Sequence, residues 1–501
     1  MDTETAQSPT STDKAAEYFD VIIVGAGISG IGSACHLSRA SGERSFVILE
    51  AMEGFGGTWR THRYPGVRSD SDLYTFGYRF KPWTNAPIAS SDEIQKYLSE
   101  VIEENELDDH IRYQHHIDSA SWSSEEKLWT LTASRTDTGD TVYFQTNFLW
   151  MCQGYYEHGH GYVPKWPDME KFTGQIVHPQ TWPQDIDLRS KNVVVIGSGA
   201  TAATLIPSIA GTCAHVTMLQ RSPTYFLSRE NKNEVADMLR ELEIPEEWIH
   251  EIVRRKILSE LRLLNDFSLA FPEEVRTELI NAARTELPEN YDVETHFTPK
   301  YRPWQQRIAV IPDGDMFKAI SSGEASIVTD EIERFTETGI LLKSGAELDT
   351  DVVVTATGFD LLVLGGINFS VDGRPIDFSQ TVSYRGMMFT DVPNMVWIMG
   401  YWRASWTLRV DLIGDYVTRL LSYMDNLGVK SVTPQLRPED QDAQLEAWID
   451  PENFNPGYIM RSLHLMPKRI DKPEWRHTQN YWLEKEELPN ADLDDGCLRF
   501  S

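Results

Sequence analysis

Two short apolar runs divide this chain into two similar units. They cover residues 19–24 and 192–196, and each is followed by closely spaced glycines and then by a helical pattern of apolar positions. Continuous apolar runs of this length are typical of buried parallel strands. The pattern therefore predicts two units that each begin with a strand, a glycine turn and a helix.

The first turn contains Gly25, Gly27 and Gly30 in the spacing of a dinucleotide-binding fingerprint. The first glycine permits a tight turn, the second lets the backbone approach a pyrophosphate, and the third lets helix and strand pack closely. The phosphates then meet the free N–H groups at the helix N-terminus. The next apolar run, 45–49, ends at Glu50, an acid placed to accept ribose hydroxyls. These features predict an FAD site.

The second turn ends in alanine instead of a third glycine, and it consists of Gly197, Ser198, Gly199, Ala200, Thr201 and Ala202. The apolar run that follows, 215–219, leads to Arg221 and Ser222 with no acid. The planar, charged guanidinium of an arginine fits the 2′-phosphate of NADPH. The sequence therefore predicts an α/β fold with two Rossmann-like dinucleotide-binding domains, the first for FAD and the second for NADPH.

A loop rich in glycine, proline and charge follows the first unit's second strand. Loops of this composition often carry function on a rigid scaffold. Gly57 permits close approach to a ligand, Thr58 follows it, and Trp59 offers a flat surface for an aromatic ring. Further along, Arg68 and Asp70 are two residues apart. They either share a site or form an ordinary solvated pair.

The order of these signals predicts a discontinuous domain arrangement. We expect a disordered tail at 1–18, an FAD-binding domain from 19–153 and 350–501, an inter-domain linker at 154–191, and an NADP-binding domain at 192–349 that includes a helical insertion at 230–290.

Four local expectations follow from the same pattern. Asp351 to Asp360 should form a strand that returns to the first domain, and the insertion should pack on the second domain. Residues 91–104 should be a helix with Ser91 or Asp92 as its N-cap. The acidic chain after Leu483 should be loosely held.

Composition narrows the classes of partner. Lys and Arg number 46 against 76 Asp and Glu, a formal net charge of −30. The electrostatic field of such a charge repels nucleic acid and anionic lipid. The acidic surface is either an ordinary solvated one or an adaptation to salt.

The four cysteines are far apart and form no C-x-x-C motif. This spacing disfavours a zinc site or a dithiol redox pair, and it suits a reducing, cytoplasmic setting. No apolar run is long enough to span a membrane, and we expect no metal.

The linker carries a motif formed by Phe172, Gly174, His178, Trp182 and Pro183. Two glycine fingerprints flanking this motif resemble the class B flavin-dependent monooxygenases. The Trp-Pro ending resembles the type I Baeyer–Villiger monooxygenases within that class, and several other stretches are similar to the subgroup of ethionamide-activating monooxygenases. The likeness runs from about Asp20 to Trp482. Gln153 departs from the family's usual Ala-Thr.

The resemblance implies roles that the pattern alone leaves open. Arg307 precedes an apolar run, so its side chain is either structural or functional; it matches the arginine that stabilises a flavin peroxide, and Asp70 matches the acid that orients that arginine. Arg68 and Ser69 match positions where the nicotinamide and flavin sites meet, and Ile117 matches a backbone contact to flavin. His178 is expected to couple domain movement, without transferring protons.

The implied activity is NADPH- and O2-dependent conversion of a ketone to an ester or lactone through a C4a-peroxyflavin, with sulfoxidation as a side activity. Three alternatives remain: an N- or S-oxygenating monooxygenase, a disulfide reductase, which the missing cysteine pair disfavours, and a non-catalytic redox-sensing flavoprotein. The natural ketone or sulfide, the selectivity and the oligomeric state do not follow from the sequence.

Overall fold

The structure, a computed structural model, describes residues 16–40 and 44–501. Its α-helices are α1 (Ile28–Arg39), α2 (Thr58–Thr61), α3 (Leu73–Phe76), α4 (Ser91–Glu104), α5 (Ala200–Ile209), α6 (Glu234–Glu241), α7 (Glu246–Ala270), α8 (Pro272–Glu286), α9 (Val293–His296), α10 (Asp315–Ser321), α11 (Thr407–Leu427), α12 (Gly457–Ser462) and α13 (Tyr481–Glu487). Its strands are β1 (Glu17–Val24), β2 (Phe46–Leu49), β3 (Ile111–Arg112), β4 (His115–Ser123), β5 (Leu128–Arg135), β6 (Thr141–Met151), β7 (Gln175–Val177), β8 (Asn192–Ile196), β9 (His215–Gln220), β10 (Phe226–Arg229), β11 (Ala309–Pro312), β12 (Ala325–Thr329), β13 (Ile332–Phe335), β14 (Gly339–Leu342), β15 (Glu347–Asp349), β16 (Val352–Thr355), β17 (Asn368–Val371), β18 (Arg374–Pro375), β19 (Ser383–Tyr384), β20 (Met388–Phe389), β21 (Met395–Trp397), β22 (Val432–Pro434), β23 (Glu446–Ala447), β24 (Lys468–Arg469) and β25 (Leu498–Phe500).

The first unit is built on a nine-stranded sheet in the order β18-β17-β4-β5-β6-β1-β2-β3, with β21 also beside β6. Strand β1 lies parallel to both β2 and β6, so that Val21 is opposite Phe46 on one side and Phe148 on the other. Strands β4, β5 and β6 form an antiparallel meander. The carboxyl end of β1 therefore lies at the centre of the sheet, where the first glycine turn begins.

The second unit is built on a parallel sheet in the order β12-β9-β8-β16-β7. Strand β8 is central, between β9 and β16. Its residues Val193, Val194 and Val195 are almost completely buried, as a strand covered on both faces must be. Two sheets whose central strands are parallel to their neighbours, each with a glycine turn after its central strand, confirm the predicted α/β fold.

Strand β16 corrects the expectation for 351–360. It pairs with β8 along its whole length and with β7 on its other side, so it belongs to the second sheet. Because β7 lies in the sequence expected to be a linker, that linker contributes a strand of the second unit. The chain rejoins the first unit only after Thr355, where Leu361 and Leu364 enter the core around Val24.

The start of the chain also differs from the expected boundary. Strand β1 begins at Glu17, two residues inside the segment 1–18 that the sequence predicts to be disordered. Residues 17 and 18 pair with Phe144 and Gln145 of β6. The rest of that prediction, up to residue 15, lies outside the described residues.

The helical insertion packs on both units, not on the second alone as expected. Ile249, Val253 and Ile257 of α7 are buried in the core that surrounds α1 and α11 of the first unit. By contrast, Val275 and Leu279 of α8 are buried in the core of the second unit. The sequence pattern gave the amphipathic helices but carried no signal for which unit each apolar face would cover.

The C-terminal segment is held firmly, which contradicts the expectation of a loose tail. Strand β25 pairs with β22 through Phe500 and Val432, and Cys497 is completely buried. Helix α4 spans the predicted residues 91–104, but its N-cap is neither Ser91 nor Asp92 as expected. Its N-cap is Ser90, which forms a reciprocal capping box with Glu93.

In the described part of the chain, no helix combines the length and the apolar composition that crossing a bilayer requires.

Candidate active site between the two units

A cavity of about 540 Å³ opens between the two units. Its lining includes twelve of the positions singled out from the sequence, namely Gly25, Gly27, Glu50, Gly57, Thr58, Trp59, Arg68, Asp70, Ile117, Ala200, Thr201 and Arg307. Those outside the lining are Gly30, Ser69, Gly197, Ser198, Gly199, Ala202, Arg221 and Ser222. The cavity thus extends from the first glycine turn, past the loop around Asp70, to the second turn.

The first glycine turn leaves no room for side chains where the backbone must bend. A Cβ on Gly30 would lie 1.8 Å from the carbonyl oxygen of Gly25, so only glycine lets α1 pack this closely on β1. Gly25 itself has a φ of +97°, which favours glycine. Gly27 is the N-cap of α1 and provides no side-chain cap, so the helix N-terminus is open to an anion.

Gly57 closes the other side of this cradle. Its φ is +52°, and a Cβ there would lie 3.2 Å from the Cα of Gly27. The two backbones therefore face each other with no side chain between them. This narrow slot beside an uncapped helix N-terminus fits the pyrophosphate of a dinucleotide.

Glu50 lies at the carboxyl end of β2, as its position in sequence predicts. One carboxylate oxygen accepts a hydrogen bond from Ala26 N at 2.7 Å, and the other accepts one from Met52 N at 2.9 Å. Only 7% of the residue is exposed, and this burial raises the pKa of its carboxyl group. The backbone bonds fix the carboxylate at the cavity wall, where a ribose can reach it.

The second glycine turn repeats this arrangement. Gly197 has a φ of +126°, and a Cβ there would lie 2.3 Å from Ala356 O. Gly199 is the N-cap of α5 and provides no side-chain cap. A Cβ added to Gly199 would meet no atom within 4 Å. The hydroxyl of Ser198 donates to Ser222 O at 3.2 Å, joining this turn to the end of β9. Arg221 follows β9 and is exposed.

The loop at 63–72 belongs to the first unit but is embedded in the second. Tyr64 is buried in the second unit's core, and a Cβ on Gly66 would lie 1.7 Å from Ser208 Oγ of α5. Arg68 Nη1 donates to Asp315 Oδ2 at 2.6 Å. The sequence left open an Arg68–Asp70 pair; the structure instead gives Arg68 an acid of the second unit. Ser69 is buried, and its hydroxyl donates to the carbonyl of Ser71.

Asp70 pairs with Arg307, which comes from the second unit just before β11. Arg307 Nη2 lies 3.0 Å from one Asp70 carboxylate oxygen and 3.3 Å from the other. The Asp70 carboxylate raises the pKa of Arg307 above its ordinary value, although burial opposes this rise. The side chains are 36% and 28% exposed, so the pair lines the cavity and is not sealed in the core. A permanent positive charge therefore faces the space between the two glycine turns.

Two tyrosines beside this pair escaped the sequence analysis as site residues. Tyr155 and Tyr156 place their hydroxyls 2.5 Å apart, and both rings line the cavity. Tyr155 stacks on Trp406 with centroids 5.3 Å apart, while Tyr156 contacts Phe359 at 4.3 Å. Burial raises the pKa of both phenols. The adjacent tyrosines after Gly154 were visible in the sequence, but nothing local showed that both would face the site.

His62 is a third residue that sequence reasoning missed. Its Nδ1 lies 3.0 Å from Thr58 O, and its ring contacts Phe359 edge-on. Burial lowers its pKa to about 4, so the imidazole is neutral at physiological pH. A lone histidine in a loop carries no spacing signal that could have identified it.

The linker motif lies outside the cavity. A Cβ on Gly174 would lie 2.4 Å from Asp351 O, and Phe172 and Trp182 are buried in cores of the second unit. His178 Nδ1 accepts a hydrogen bond from Gln180 N at 3.1 Å. The His178 ring packs tightly on Gly161, where an added Cβ would lie 1.8 Å from the ring. Burial lowers the pKa of His178. Pro183 is partly buried. These contacts are typical of a structural role, and no residue of the motif lines the cavity.

Comparison with known proteins identifies the class to which this site belongs. The model of the flavin-binding monooxygenase-like family matches residues 19–364. The FAD-containing monooxygenase EthA of Mycolicibacterium smegmatis is 43% identical over 487 residues, which is 97% of each chain. The probable FAD-binding monooxygenase AlmA of Acinetobacter baylyi is 44% identical over 486 residues, covering 97% of this chain and 96% of AlmA. The chain therefore belongs to the flavin-binding monooxygenase-like family.

Solved structures confirm the fold. An oxidised steroid monooxygenase bound to NADP superposes with a TM-score of 0.75 at 24% identity, covering 96% of this chain and 99% of its own. OTEMO in complex with FAD and NADP gives 0.75 at 19% identity, covering 97% and 100%. Cyclohexanone monooxygenase bound to ε-caprolactone gives 0.70 at 21% identity, covering 85% and 91%. The family match confirms the predicted flavoprotein monooxygenase class.

Proposed function

We propose that this chain is a Baeyer–Villiger monooxygenase that uses FAD, NADPH and O2 to convert a ketone into an ester or lactone. The observation that carries the proposal is the Arg307–Asp70 pair at the cavity between two dinucleotide-binding turns. One atom of O2 enters the carbon skeleton beside the carbonyl, the other leaves as water, and NADPH supplies two electrons. Sulfoxidation of small sulfides is the expected side activity.

The first turn fits FAD. The slot between Gly27 and Gly57 admits a pyrophosphate, the uncapped N-terminus of α1 attracts its charge, and Glu50 accepts from the ribose. Trp59 and Ile117 line the same cavity and would contact the flavin. Bound FAD, once reduced, supplies the activated oxygen.

The second turn fits NADPH. The open N-terminus of α5 at Gly199 receives the pyrophosphate, and exposed Arg221 receives the 2′-phosphate. The cavity runs from the first turn to Ala200 and Thr201 at the start of α5, which supports a nicotinamide end that would lie near Arg68 and Asp70. Ala200 and Thr201 contribute the second unit's wall.

Arg307 is the proposed catalytic residue. Its fixed positive charge stabilises the oxyanion that develops when a ketone carbonyl is attacked, an effect worth roughly 3–4 kcal/mol for a well-placed donor. Asp70 holds the guanidinium by two contacts and maintains its charge. The neutral phenols of Tyr155 and Tyr156 present hydroxyls to the same space without introducing negative charge.

The wall around Arg307 favours an apolar substrate. Tyr155, Phe359, Leu362 and Trp406 line the cavity there, and such side chains recognise apolar surface while a few polar groups orient the carbonyl. Among the relatives, cyclohexanone monooxygenase is named for a ketone substrate and was solved with a lactone. His178 and the rest of the linker motif then act through domain coupling.

We also propose a domain boundary revised by the sheets. The FAD domain comprises 16–153 and 356–501, and the NADP domain comprises 175–355 with the helical insertion divided between them. The four cysteines are buried and unpaired, which suits a reducing compartment, so we place the enzyme in the cytoplasm.

A substrate panel tests the proposal. Purified holoenzyme is incubated with NADPH and cyclic, aryl or long-chain aliphatic ketones, or with methyl phenyl sulfide, and products are identified by mass spectrometry. Esters or lactones from ketones support the proposal. Sulfoxide with no ester from any ketone identifies an N- or S-oxygenating monooxygenase instead, and NADPH consumption that never responds to substrate identifies a redox sensor.

A further inference from the structure

We infer that a C-terminal segment, residues 477–484, positions the substrate-side wall of the cavity, and that Gln479 and Glu484 are its positioning residues. The wall is the loop 400–406, of which Tyr401, Trp402 and Trp406 line the cavity. None of residues 477–484 lines it. The inference deepens the proposed function and rests on it, because it concerns how that site fits its substrate.

Gln479 holds the backbone of the wall from behind. Its Oε1 accepts a hydrogen bond from Trp402 N at 2.8 Å, and its Nε2 donates to Gly400 O at 3.0 Å. The Gln479 side chain therefore pairs the backbone carbonyl before Tyr401 and the backbone amide after it. Since buried backbone groups must be paired, the wall's path depends on this amide.

Glu484 holds the wall through a side chain. Its Oε2 accepts from the hydroxyl of Tyr401 at 2.6 Å and from Arg409 Nε at 2.8 Å, and its Oε1 accepts from Thr478 Oγ1 at 2.7 Å. Glu484 is 4% exposed and Arg409 is completely buried. A buried charge pair with these additional bonds has a fixed geometry, and loss of either partner leaves an uncompensated charge.

Arg409 ties the same network to the body of the first unit. It also donates to Met399 O at 2.8 Å and to Arg385 O at 2.8 Å. Met399 directly precedes the wall, while Arg409 lies in α11, which packs on α1. Glu484 thus links Tyr401, through Arg409, to the packed helices α11 and α1 of the FAD domain.

His477 supports the ring of the wall. Its imidazole is 4% exposed, stacks on Trp448 with centroids 4.5 Å apart and meets the edge of Trp402 at 6.4 Å. Its Nε2 lies 2.8 Å from Gln479 Nε2. Trp402 is therefore held both by its backbone amide and by its ring, and both restraints come from the C-terminal segment.

This arrangement separates substrate fit from cofactor binding. The segment contacts Gly400, Tyr401 and Trp402, whereas the glycine turns, Glu50 and Arg221 are held by other elements. At its far end the wall meets the first turn through Trp406 Nε1, which donates to Ser29 Oγ at 2.8 Å, a bond in which the C-terminal segment takes no part. Releasing the wall should therefore change how a substrate is oriented while NADPH still reduces the flavin at its normal rate. Substrate orientation in a hydrophobic pocket is sensitive to such small displacements.

The test compares Gln479→Ala and Tyr401→Phe with the wild-type holoenzyme. The first removes both backbone restraints, and the second removes one hydroxyl while leaving the Arg409–Glu484 pair intact. Asn147→Ala is the matched control, because the Asn147 side chain likewise makes two hydrogen bonds to the backbone, here donating to Lys127 O and Lys430 O, but lies outside the cavity lining. Thermal unfolding shows that each variant is folded.

Three readouts decide the inference. In Gln479→Ala, the Trp402 amide should exchange its hydrogen at least about tenfold faster. Its KM for a ketone should rise about tenfold with kcat changed far less, and the enantiomeric ratio of methyl phenyl sulfoxide should shift. Tyr401→Phe should shift the ratio in the same direction by less, and Asn147→Ala should leave it unchanged.

The inference is overturned if the Trp402 amide is released and both KM and the enantiomeric ratio stay at wild-type values, or if Asn147→Ala shifts them equally. Failure of the proposed function looks different. In that case the wild-type enzyme forms no ester from any ketone, while the sulfoxide ratio and the amide exchange still report on the wall.

Discussion

Asp70 and Arg307 come from different nucleotide-binding units, 237 residues apart in the chain, and meet with 3.0 Å between their charged atoms. Asp70 belongs to a loop of the first unit that is packed into the second, and Arg307 stands immediately before a strand of the second. Their contact therefore exists only when both units are assembled. Of the two residues that the sequence singled out for catalysis, Arg307 brings a positive charge to the cavity and Asp70 orients it.

Replacing Arg307 with alanine should abolish ketone oxygenation and spare the earlier steps. FAD binding and its reduction by NADPH depend on the glycine turns, whereas the oxyanion loses its fixed charge. We expect kcat for ester formation to fall by roughly 10²–10³-fold. Stopped-flow absorbance measures flavin reduction, and gas chromatography measures the ester.

Two variants control this measurement. Asp70→Asn keeps the arginine but removes its charged partner, so a smaller loss is expected, and the double variant should lose less than the product of the two because the residues act as a pair. Arg302→Ala changes an arginine of the same loop that instead contacts Asn453. Ester formed at the wild-type rate by Arg307→Ala would refute the assignment.

Replacing Arg221 with alanine should erase the preference for NADPH over NADH. The exposed guanidinium is the cation that follows β9, where a 2′-phosphate would lie. We expect KM for NADPH to rise about 10–100-fold while KM for NADH is nearly unchanged. Steady-state NADPH and NADH oxidation measures both constants. Arg189→Ala, an exposed arginine paired with Asp187, is the control; an unchanged ratio in Arg221→Ala would contradict the NADPH site.

The two fingerprints should respond differently to alanine. Gly30→Ala forces a Cβ to 1.8 Å from Gly25 O, so we expect destabilisation of about 3 kcal/mol or more and protein purified without FAD. Gly199→Ala places its Cβ in open space, so stability should be unchanged and KM for NADPH should rise. Thermal unfolding and the flavin absorbance of the purified proteins measure the contrast. Normal FAD content in Gly30→Ala would contradict the packing described for the first turn.

Two buried histidines should each contribute a loss of stability as pH drops from 6.5 towards 4. Burial lowers the pKa of both His62 and His250 to about 4, so in this range the unfolded chain binds protons that the folded chain does not. The contribution of each histidine to the free energy of unfolding is complete above about pH 6.5, the pKa of a histidine in the unfolded chain. About 2 kcal/mol of that contribution per ring is lost by pH 5. Urea unfolding at pH 7.5 and 5 measures the slope. His250→Gln should flatten it, whereas exposed His116→Gln should not; an equally steep slope in both would disprove this origin.

The glycine turns and strand ends of the two proposed nucleotide sites were predictable because their signals are local. Gly25, Gly30 and Gly197 are required by backbone contacts within a few residues or with a neighbouring strand, and Glu50 and Arg221 follow directly from the ends of strands. Each lies where the spacing predicts. A strand, a turn and the first residues of a helix carry most of the information needed to place them.

Other features depend on long-range packing that spacing does not encode. The pairing of Arg68 with Asp315, the position of β16 beside β8 and the division of the insertion between α7 and α8 all involve segments far apart in sequence. The acidic composition after Leu483 suggested a loose tail, yet the buried carboxylate of Glu484, the pairing of β25 with β22 and the buried Cys497 all hold it in place. Composition describes the average of a segment, and a few buried or paired residues can override it.

Tracing the oxygen atom tests the proposed Baeyer–Villiger reaction most directly. Purified holoenzyme is mixed with NADPH, ¹⁸O2 and a simple ketone in unlabelled water, and the product is analysed by mass spectrometry. We predict an ester or lactone that carries one ¹⁸O atom beside the carbonyl, formed with one NADPH consumed for each product. An unchanged ketone together with efficient sulfoxide formation from methyl phenyl sulfide would contradict the proposed Baeyer–Villiger reaction.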